Sequence, residues 1–178
     1  MPRITPLEPP YAPDLQASFD AVMRGAPPLT LFRSIAVSPR AWKKFRAGAL
    51  LDSGPLSLRE REIIIDRTCA LSGCEYEWGV HVAVFAEPAG LTAAEVAAPA
   101  GQGDAGRWAA PERALIRTAE ALHARATLND EEFAELSAHY DAEQILEVLM
   151  LCGFYRMVAY VANGLALPGE PGAARLPS

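Results

Sequence analysis

The stretch LSLREREIIIDRTCALSGCEYEWGVHVAVF, residues 56–85, decides the fold of this chain. Ser57 is followed three residues later by Glu60, which is the pattern of a capping box at the start of a helix. The apolar residues then continue with helical spacing until Ser72 and Gly73 end the helix. The run of three isoleucines would also suit a strand, but its length and context favour a buried helix. We therefore predict two consecutive helices joined by a tight turn.

The remaining sequence also has helical patterns, and no segment shows the alternation of a half-buried strand. We expect one all-α domain over residues 1–178, with a Pro-rich arm at 1–13 and a flexible tail at 166–178. The segment GQGDAG, residues 101–106, predicts a flexible loop. The predicted helices lie at 14–25, 29–35, 38–50, 57–71, 74–87, from Thr92, from Pro111, from Asn129, and at 141–165.

Composition excludes several classes of protein. The net charge is −6 and the basic residues are scattered, which argues against a general nucleic-acid surface. With 51% hydrophobic residues the chain has a globular composition. We see neither an export leader nor an uninterrupted apolar run of membrane-spanning length. Three cysteines do not suggest a disulfide framework, so we expect a cytoplasmic protein.

The second predicted helix brings three reactive side chains to one face. Relative to Cys74, Glu77 lies at about −60° and His81 at about −20° around the helix axis. Glu77 and His81 are four residues apart and can form a hydrogen bond or an ion pair. Trp78 and Phe85 flank this face and are expected to form the apolar wall of a substrate pocket.

Glu62 joins this group from the preceding helix. In an antiparallel hairpin about the Ser72–Gly73 turn, Glu62 faces the segment from Glu77 to His81. A carboxylate among isoleucines is costly to bury without a partner, and a histidine with a second carboxylate would supply one. Such paired groups are suited to general acid/base chemistry.

Plainer interpretations stay open for each member of this set. Glu77 and His81 could be an ordinary surface pair, and Cys74 could be a small buried hydrophobic residue. We interpret Cys69 and Cys152 in that way too. Asp66 could be a second polar group on its helix or could pair with a neighbouring arginine. The functional interpretation depends on the convergence of four residues in one hairpin.

The motif resembles that of a known superfamily. A glutamate, Glu62, is followed twelve residues later by C-x-x-[CE]-x-x-x-H, here Cys74, Glu77 and His81. This pattern is similar to the carboxymuconolactone decarboxylase and alkyl hydroperoxidase D superfamily, and the resemblance covers roughly residues 29–165. It implies an all-α bundle with a central antiparallel hairpin. It also implies a homo-oligomer (dimer, trimer or hexamer) with sites near subunit contacts.

The resemblance implies two chemistries. In the decarboxylase branch no cofactor or metal is needed: His81 donates a proton or stabilises an oxyanion, Glu77 orients it, and Glu62 completes the relay. In the thiol peroxidase branch a second cysteine stands at the position of Glu77, so this chain would depend on Cys74, with Cys69 as a possible resolving thiol. A non-catalytic oligomer that binds a small molecule is the third possibility.

We expect a small-molecule substrate, and neither nucleic acid nor a membrane as partner. The apolar segment 145–165 offers more hydrophobic surface than one core stripe needs, which favours self-association. Arg156 within it would suit an acidic substrate, and the sequence does not place Tyr155 or Asn163.

Overall fold

A computed structural model describes residues 1–50, 52–98 and 108–177 of the chain. Within these residues all regular structure is helical, which confirms the all-α prediction. The segment 101–106, predicted to be a loop, lies outside the described residues. The helices are α1 Pro13–Met23, α2 Thr30–Ile35, α3 Pro39–Ala47, α4 Leu58–Leu71, α5 Glu75–Phe85, α6 Ala93–Val96, α7 Ala110–Arg125, α8 Asp130–Ser137 and α9 Ala142–Gly164.

Helix α4 lies at the centre and contacts α5, α7 and α9. Its start is fixed as the sequence predicts: the Ser57 side chain accepts a hydrogen bond from the Glu60 N–H, and the Glu60 carboxylate accepts one from the Ser57 N–H at 2.8 Å. Ile63, Ile64 and Ile65 are all buried, because neighbouring helices cover α4 on several sides. The isoleucine run therefore belongs to a core helix and not to a strand.

The turn between α4 and α5 depends on Gly73, whose φ of +58° is a left-handed conformation that glycine adopts without strain. The Cys74 N–H donates to the Cys69 carbonyl at 2.9 Å and closes the turn. Helix α5 then begins at Glu75, so Cys74 is its N-cap residue. The predicted helix over 74–87 is thus shorter at both ends, and Cys74 does not share its helical geometry.

Three other predicted boundaries also shift. Ala12 is the N-cap residue of helix α1, and Pro13 takes the first helical position. A proline is tolerated there because an N–H at this position would have no acceptor within the helix. Asp14 therefore lies in the first turn and is not the cap. Helix α2 begins one residue later than predicted, at Thr30, with Leu29 as its N-cap. Helix α3 ends at Ala47 and not near Leu50, whose φ of +45° is incompatible with a helix.

The N-terminal arm packs on its own chain. The Arg3 N–H donates to the Leu165 carbonyl at 2.8 Å, and the Glu8 carboxylate pairs with Arg33 at 2.6 Å. Tyr11 meets Phe19 edge to face, with ring centroids 5.1 Å apart. The arm is thus held against α1, α2 and the residue that follows α9.

The C-terminal segment is also held against the core, although its Gly/Pro-rich sequence predicts a flexible tail. The Glu170 carboxylate accepts hydrogen bonds from the Tyr76 hydroxyl and the Thr30 N–H. The Ala174 N–H donates to the Gly79 carbonyl at 3.0 Å. These contacts use a carboxylate and the main chain. The tail sequence therefore has no apolar periodicity that would predict them.

Helix α9 is long and apolar enough to cross a membrane by length and composition alone. Its inner face is buried in the core through Val148, Leu151, Tyr155 and Val158. Core helices of soluble proteins commonly pass the same test. In α9, 44% of the apolar window is buried inside the protein.

Gly79 provides a test of how the C-terminal segment is held. A Cβ atom at this position would come far inside contact distance of the Ala174 carbonyl oxygen. We expect Gly79→Ala to lower the free energy of unfolding by about 1–3 kcal/mol, because the segment must move away. The matched control is Gly153→Ala on α9, where a Cβ meets no atom within 4 Å and alanine should stabilise the helix by about 0.5–1 kcal/mol. Chemical denaturation of both variants checks this; equal effects would contradict the assigned contact.

Candidate functional site

Glu62 is a buried carboxylate on α4. Its exposed fraction is 1%, although isoleucines follow it directly in the sequence. The α4–α5 hairpin directs it towards α5, and its Oε2 lies 2.8 Å from Nδ1 of His81. The pairing inferred from distances to the turn is therefore present in the structure.

His81 is held between two carboxylates. Its Nδ1 contacts Glu62, and its Nε2 lies 3.5 Å from Oε1 of Glu77, one turn earlier on α5. All three side chains are buried, and Oε2 of Glu77 has no hydrogen-bond partner. The Glu62 contact is tight, whereas the Glu77 contact leaves donor and acceptor capacity unused.

This arrangement keeps His81 protonated. Burial lowers the pKa of His81, but hydrogen bonds and charges from Glu62 and Glu77 outweigh burial and raise it to about 10. The side chain is therefore an imidazolium at neutral pH, with Nδ1–H donating to Glu62 and Nε2–H directed towards Glu77.

Two aromatic rings enclose the imidazolium. Phe85 lies one turn beyond His81 on α5, with ring centroids 5.3 Å apart. Tyr155 of α9 meets the imidazole edge to face at 5.0 Å and is 2% exposed. Sequence reasoning identified Phe85 but left Tyr155 unplaced, because nothing in the α9 pattern shows which turn faces α5.

Trp78 does not share this wall with Phe85. It is 2% exposed and lines a separate cavity, where Asp66 of α4 is also found. Trp78 and Phe85 lie seven positions apart on α5, which separates them by about 10 Å along the helix axis. A helical-wheel projection omits this axial distance, which is why Trp78 and Phe85 were predicted to lie on one wall.

Asp66 is the acidic residue whose position sequence reasoning left undecided. It is buried, and Oδ1 has no hydrogen-bond partner. Burial raises the pKa of Asp66 to about 8; the charge of His81 opposes the rise and the charge of Glu62 adds to it. Its spacing of four residues after Glu62 was the available signal.

The cysteine thiols are buried and reduced. Burial raises the pKa of the Cys74 thiol to about 11 and that of Cys69 well above its usual value, and the Glu77 charge adds to both rises. No hydrogen bond joins the Cys74 thiol to His81 in the part of the chain that the structure describes. Neither thiol is in the thiolate form that nucleophilic attack requires at neutral pH.

Arg156 and Asn163 lie apart from this cluster. Arg156 contacts His123 and stacks its guanidinium 5.2 Å from the Tyr160 ring centroid. Asn163 donates to the Ser72 carbonyl at 3.1 Å, which steadies the hairpin turn. Across residues 1–50, 52–98 and 108–177, no group of three or more His, Cys, Asp or Glu side chains could hold a metal ion.

Comparisons with known proteins agree with this geometry. The model of the carboxymuconolactone decarboxylase family matches residues 37–124, which include the α4–α5 hairpin and most of α7. No curated protein matches the chain in sequence.

Several solved structures share the fold. An uncharacterized peroxidase-related protein from Ralstonia eutropha JMP134, described as an alkylhydroperoxidase AhpD core, is 22% identical with a TM-score of 0.79, covering 95% of this chain and 92% of that one. A peroxidase-related protein from Silicibacter sp. TM1040 is 18% identical with a TM-score of 0.76 over the same shares. A cysteine-to-alanine variant of the debrominase Bmp8 in complex with 2,3,4-tribromopyrrole is 18% identical with a TM-score of 0.77, again covering 95% and 92%. Residues 37–124, about half of the chain, thus match the carboxymuconolactone decarboxylase family, and the described residues share the fold of the peroxidase-related structures.

The protonated state of His81 has a consequence for stability. The folded protein binds this proton with a pKa of about 10, against about 6.5 when unfolded. A raised folded-state pKa stabilises fully below the unfolded value, and the stabilisation is lost as pH rises through the folded value. We therefore expect the free energy of unfolding to fall between pH 6.5 and 10 more steeply in the wild type than in His81→Gln.

Denaturant unfolding at several pH values measures this difference. The matched control is His139→Gln, which replaces an exposed histidine and should follow the wild type. Asp66 adds a slope of the same sign up to about pH 8, so the interval from pH 8 to 10 is the most informative. Parallel curves for wild type and His81→Gln would contradict a protonated His81.

Proposed function

We propose that this protein is a cofactor-free acid/base enzyme that decarboxylates a small lactone or carbonyl acid. The observation that carries the proposal is the buried Glu62–His81–Glu77 arrangement, in which an imidazolium is held tightly at one nitrogen and loosely at the other. A buried positive charge with an available N–H is suited to stabilising a developing oxyanion. The match of residues 37–124 to the carboxymuconolactone decarboxylase family supports the class of substrate.

The chemical steps follow from this geometry. The bond between the substrate carboxylate and its α-carbon breaks, CO₂ leaves, and the electron pair moves into the adjacent carbonyl system as an enolate. His81 stabilises the enolate oxygen through Nε2–H and then transfers that proton to carbon. A proton from solvent restores the imidazolium, with Glu77 as the carrier.

Glu62 and Glu77 have different parts in this scheme. Glu62 is a positioning residue, because its short contact fixes the ring and the protonated Nδ1. Oε1 of Glu77 contacts Nε2 of His81 at 3.5 Å, and Oε2 of Glu77 has no hydrogen-bond partner. Glu77 can therefore release His81 and bind a substrate group in its place. Phe85 and Tyr155 exclude water from the imidazolium, which strengthens its field.

A thiol peroxidase that uses Cys74 is the second candidate. In its favour, Cys74 and Cys69 lie at the two sides of one turn, joined by a main-chain hydrogen bond. Against it, Glu77 stands where the resembled peroxidase motif has its second cysteine. The raised pKa values of both thiols also oppose activation. We rank it below acid/base chemistry.

Turnover of 4-carboxymuconolactone, followed by loss of ultraviolet absorbance and by CO₂ release, tests the proposal. We expect His81→Ala and Glu77→Gln to lower kcat by about 10²–10⁴-fold, the usual worth of a general acid/base group. Glu75→Gln is the matched control, because Glu75 lies in the same turn but pairs with Arg175 at the surface. Cys74→Ser should retain activity.

Two outcomes would oppose this assignment. Full activity in His81→Ala would remove the role given to the imidazolium. Dithiothreitol-dependent consumption of hydroperoxide that is abolished by Cys74→Ser, without lactone turnover, would favour the peroxidase.

We also propose that the chain forms a homo-oligomer. Leu146, Met150 and Tyr160 of α9 are 61%, 54% and 65% exposed, which is unusual for large apolar side chains on one helix. Light scattering should give a mass well above 19.1 kDa, and Leu146→Glu should lower it. A monomeric mass at micromolar concentration would contradict self-association through this surface.

A further inference from the structure

A cavity of about 270 Å³ lies beside α4 and α5 and is separate from the residues around His81. We call it the tryptophan cavity. Its volume is near the lower end of small-molecule pockets, about 300–1,000 Å³, and suits a molecule of about one ring. Apolar side chains form much of its wall: Ile63, Leu91, Val96 and Ile116. Its polar wall includes Asp66, Trp78, Trp108 and Arg113, together with four further charged residues: Arg67, Glu95, Arg117 and Glu120.

Two buried polar atoms of this wall have no hydrogen-bond partner. They are Oδ1 of Asp66 and the indole Nε1 of Trp78. Asp66 is 9% exposed and Trp78 is 2% exposed, so bulk water does not serve them. Buried polar groups are nearly always paired in native proteins, and an exception calls for an explanation such as a bound molecule.

Most charged residues around the cavity are already in ion pairs. Glu95 pairs with Arg59 at 2.5 Å, and Arg117 pairs with Glu135 at 2.9 Å. Glu120 pairs with Arg67.

Arg113 differs from these residues. Its NH1 donates to the Trp108 carbonyl at 2.6 Å. Among the residues that the structure describes, no carboxylate lies within ion-pairing distance of Arg113. The cavity wall thus includes a guanidinium without a carboxylate partner among the described residues and an unpaired indole N–H, two kinds of donor that suit a carboxylate.

We propose that the tryptophan cavity binds a small planar carboxylic acid, whose carboxylate pairs with Arg113 and accepts from Trp78 while its ring packs against the indoles. Asp66 in its neutral form donates its O–H to the same ligand. Because the cavity is separate from His81, this assignment adds an acid-binding site to the proposed function, and its binding test does not require turnover.

Asp66 connects the cavity to the charged cluster. It lies one helical turn after Glu62 on α4, and both His81 and Glu62 influence its charge. Its raised pKa of about 8 leaves it mostly neutral at pH 7, so it does not repel a bound carboxylate. The charges that act on it are those of Glu62 on α4 and His81 on α5. The other charged residues that line the cavity are Arg67, Glu95, Arg113, Arg117 and Glu120.

Benzoate is the probe, with benzamide and benzylamine as neutral and cationic molecules of the same ring. The three tryptophan indole N–H resonances of the ¹⁵N-labelled protein give the readout. We expect benzoate to shift Trp78 and Trp108 saturably and to leave Trp42, which donates to Ser18, unchanged. Benzamide and benzylamine should bind at least tenfold more weakly, because they do not form the ion pair.

Variants of the cavity wall identify the groups responsible. Arg113→Gln should weaken benzoate binding by about 10–100-fold, the worth of a charged hydrogen bond. Arg117→Gln, on the same helix but paired with Glu135, should change the affinity by no more than about twofold, because the ion pair between Arg113 and benzoate is unaffected. Asp66→Asn keeps an N–H donor and should bind benzoate nearly as well, whereas Asp66→Leu should bind more weakly. The unperturbed remainder of each spectrum verifies folding.

The outcomes separate this proposal from the proposed function. No saturable shift of Trp78 or Trp108, an equal response to benzamide, or unchanged binding in Arg113→Gln would each overturn the cavity assignment. Benzoate binding as described without any lactone turnover would leave the cavity assigned and remove the decarboxylase. Turnover with no acid bound in the cavity would do the reverse.

Discussion

The hydrogen bond between Glu62 and His81 is the constraint around which this structure is organised. It joins the two helices of the central hairpin across a buried interface, at 2.8 Å. Neither group could be buried in its charged form alone, because an unpaired ion in an apolar interior is very costly. The hairpin therefore has to hold a definite register, which the tight turn at Gly73 sets. Burial of α4 by its neighbours then keeps water away from the pair.

The electrostatic balance at His81 is asymmetric, and this asymmetry gives the site its chemical character. Two carboxylates compete for one imidazolium, and only Glu62 has the short contact. The second carboxylate has an unused oxygen inside the protein. A group of this kind is stable enough to persist in the folded state and retains capacity to bind another molecule. By contrast, Cys74 at the N-cap of α5 is surrounded by features that keep its proton on sulfur.

Part of this picture could be predicted from sequence. The capping residues Ser57 and Glu60, and the facing of Glu62 towards His81, follow from local chemistry and from distances to the turn. The contacts of Tyr155 could not be predicted, because they depend on how α9 is rotated against α5. Trp78 was grouped with Phe85, since a helical wheel projects residues onto one plane and loses their separation along the axis. The tail was expected to be flexible because it is rich in glycine and proline. Its contacts use Glu170 and the main chain, which leave no periodic pattern in the sequence.

The close approach of Ala174 to Gly79 has a consequence for the shape of α5. Helix α5 packs against α4 on one side and against the C-terminal segment on the other. The contacts with that segment are the main-chain hydrogen bond between Ala174 and Gly79, the Tyr76–Glu170 hydrogen bond and the Glu75–Arg175 ion pair. The C-terminal segment therefore restricts the position of α5 on the side opposite α4. His81 lies two residues after Gly79 on α5. The sequence of the C-terminal segment therefore affects the position of the imidazolium, although none of its residues contacts that ring among the described contacts.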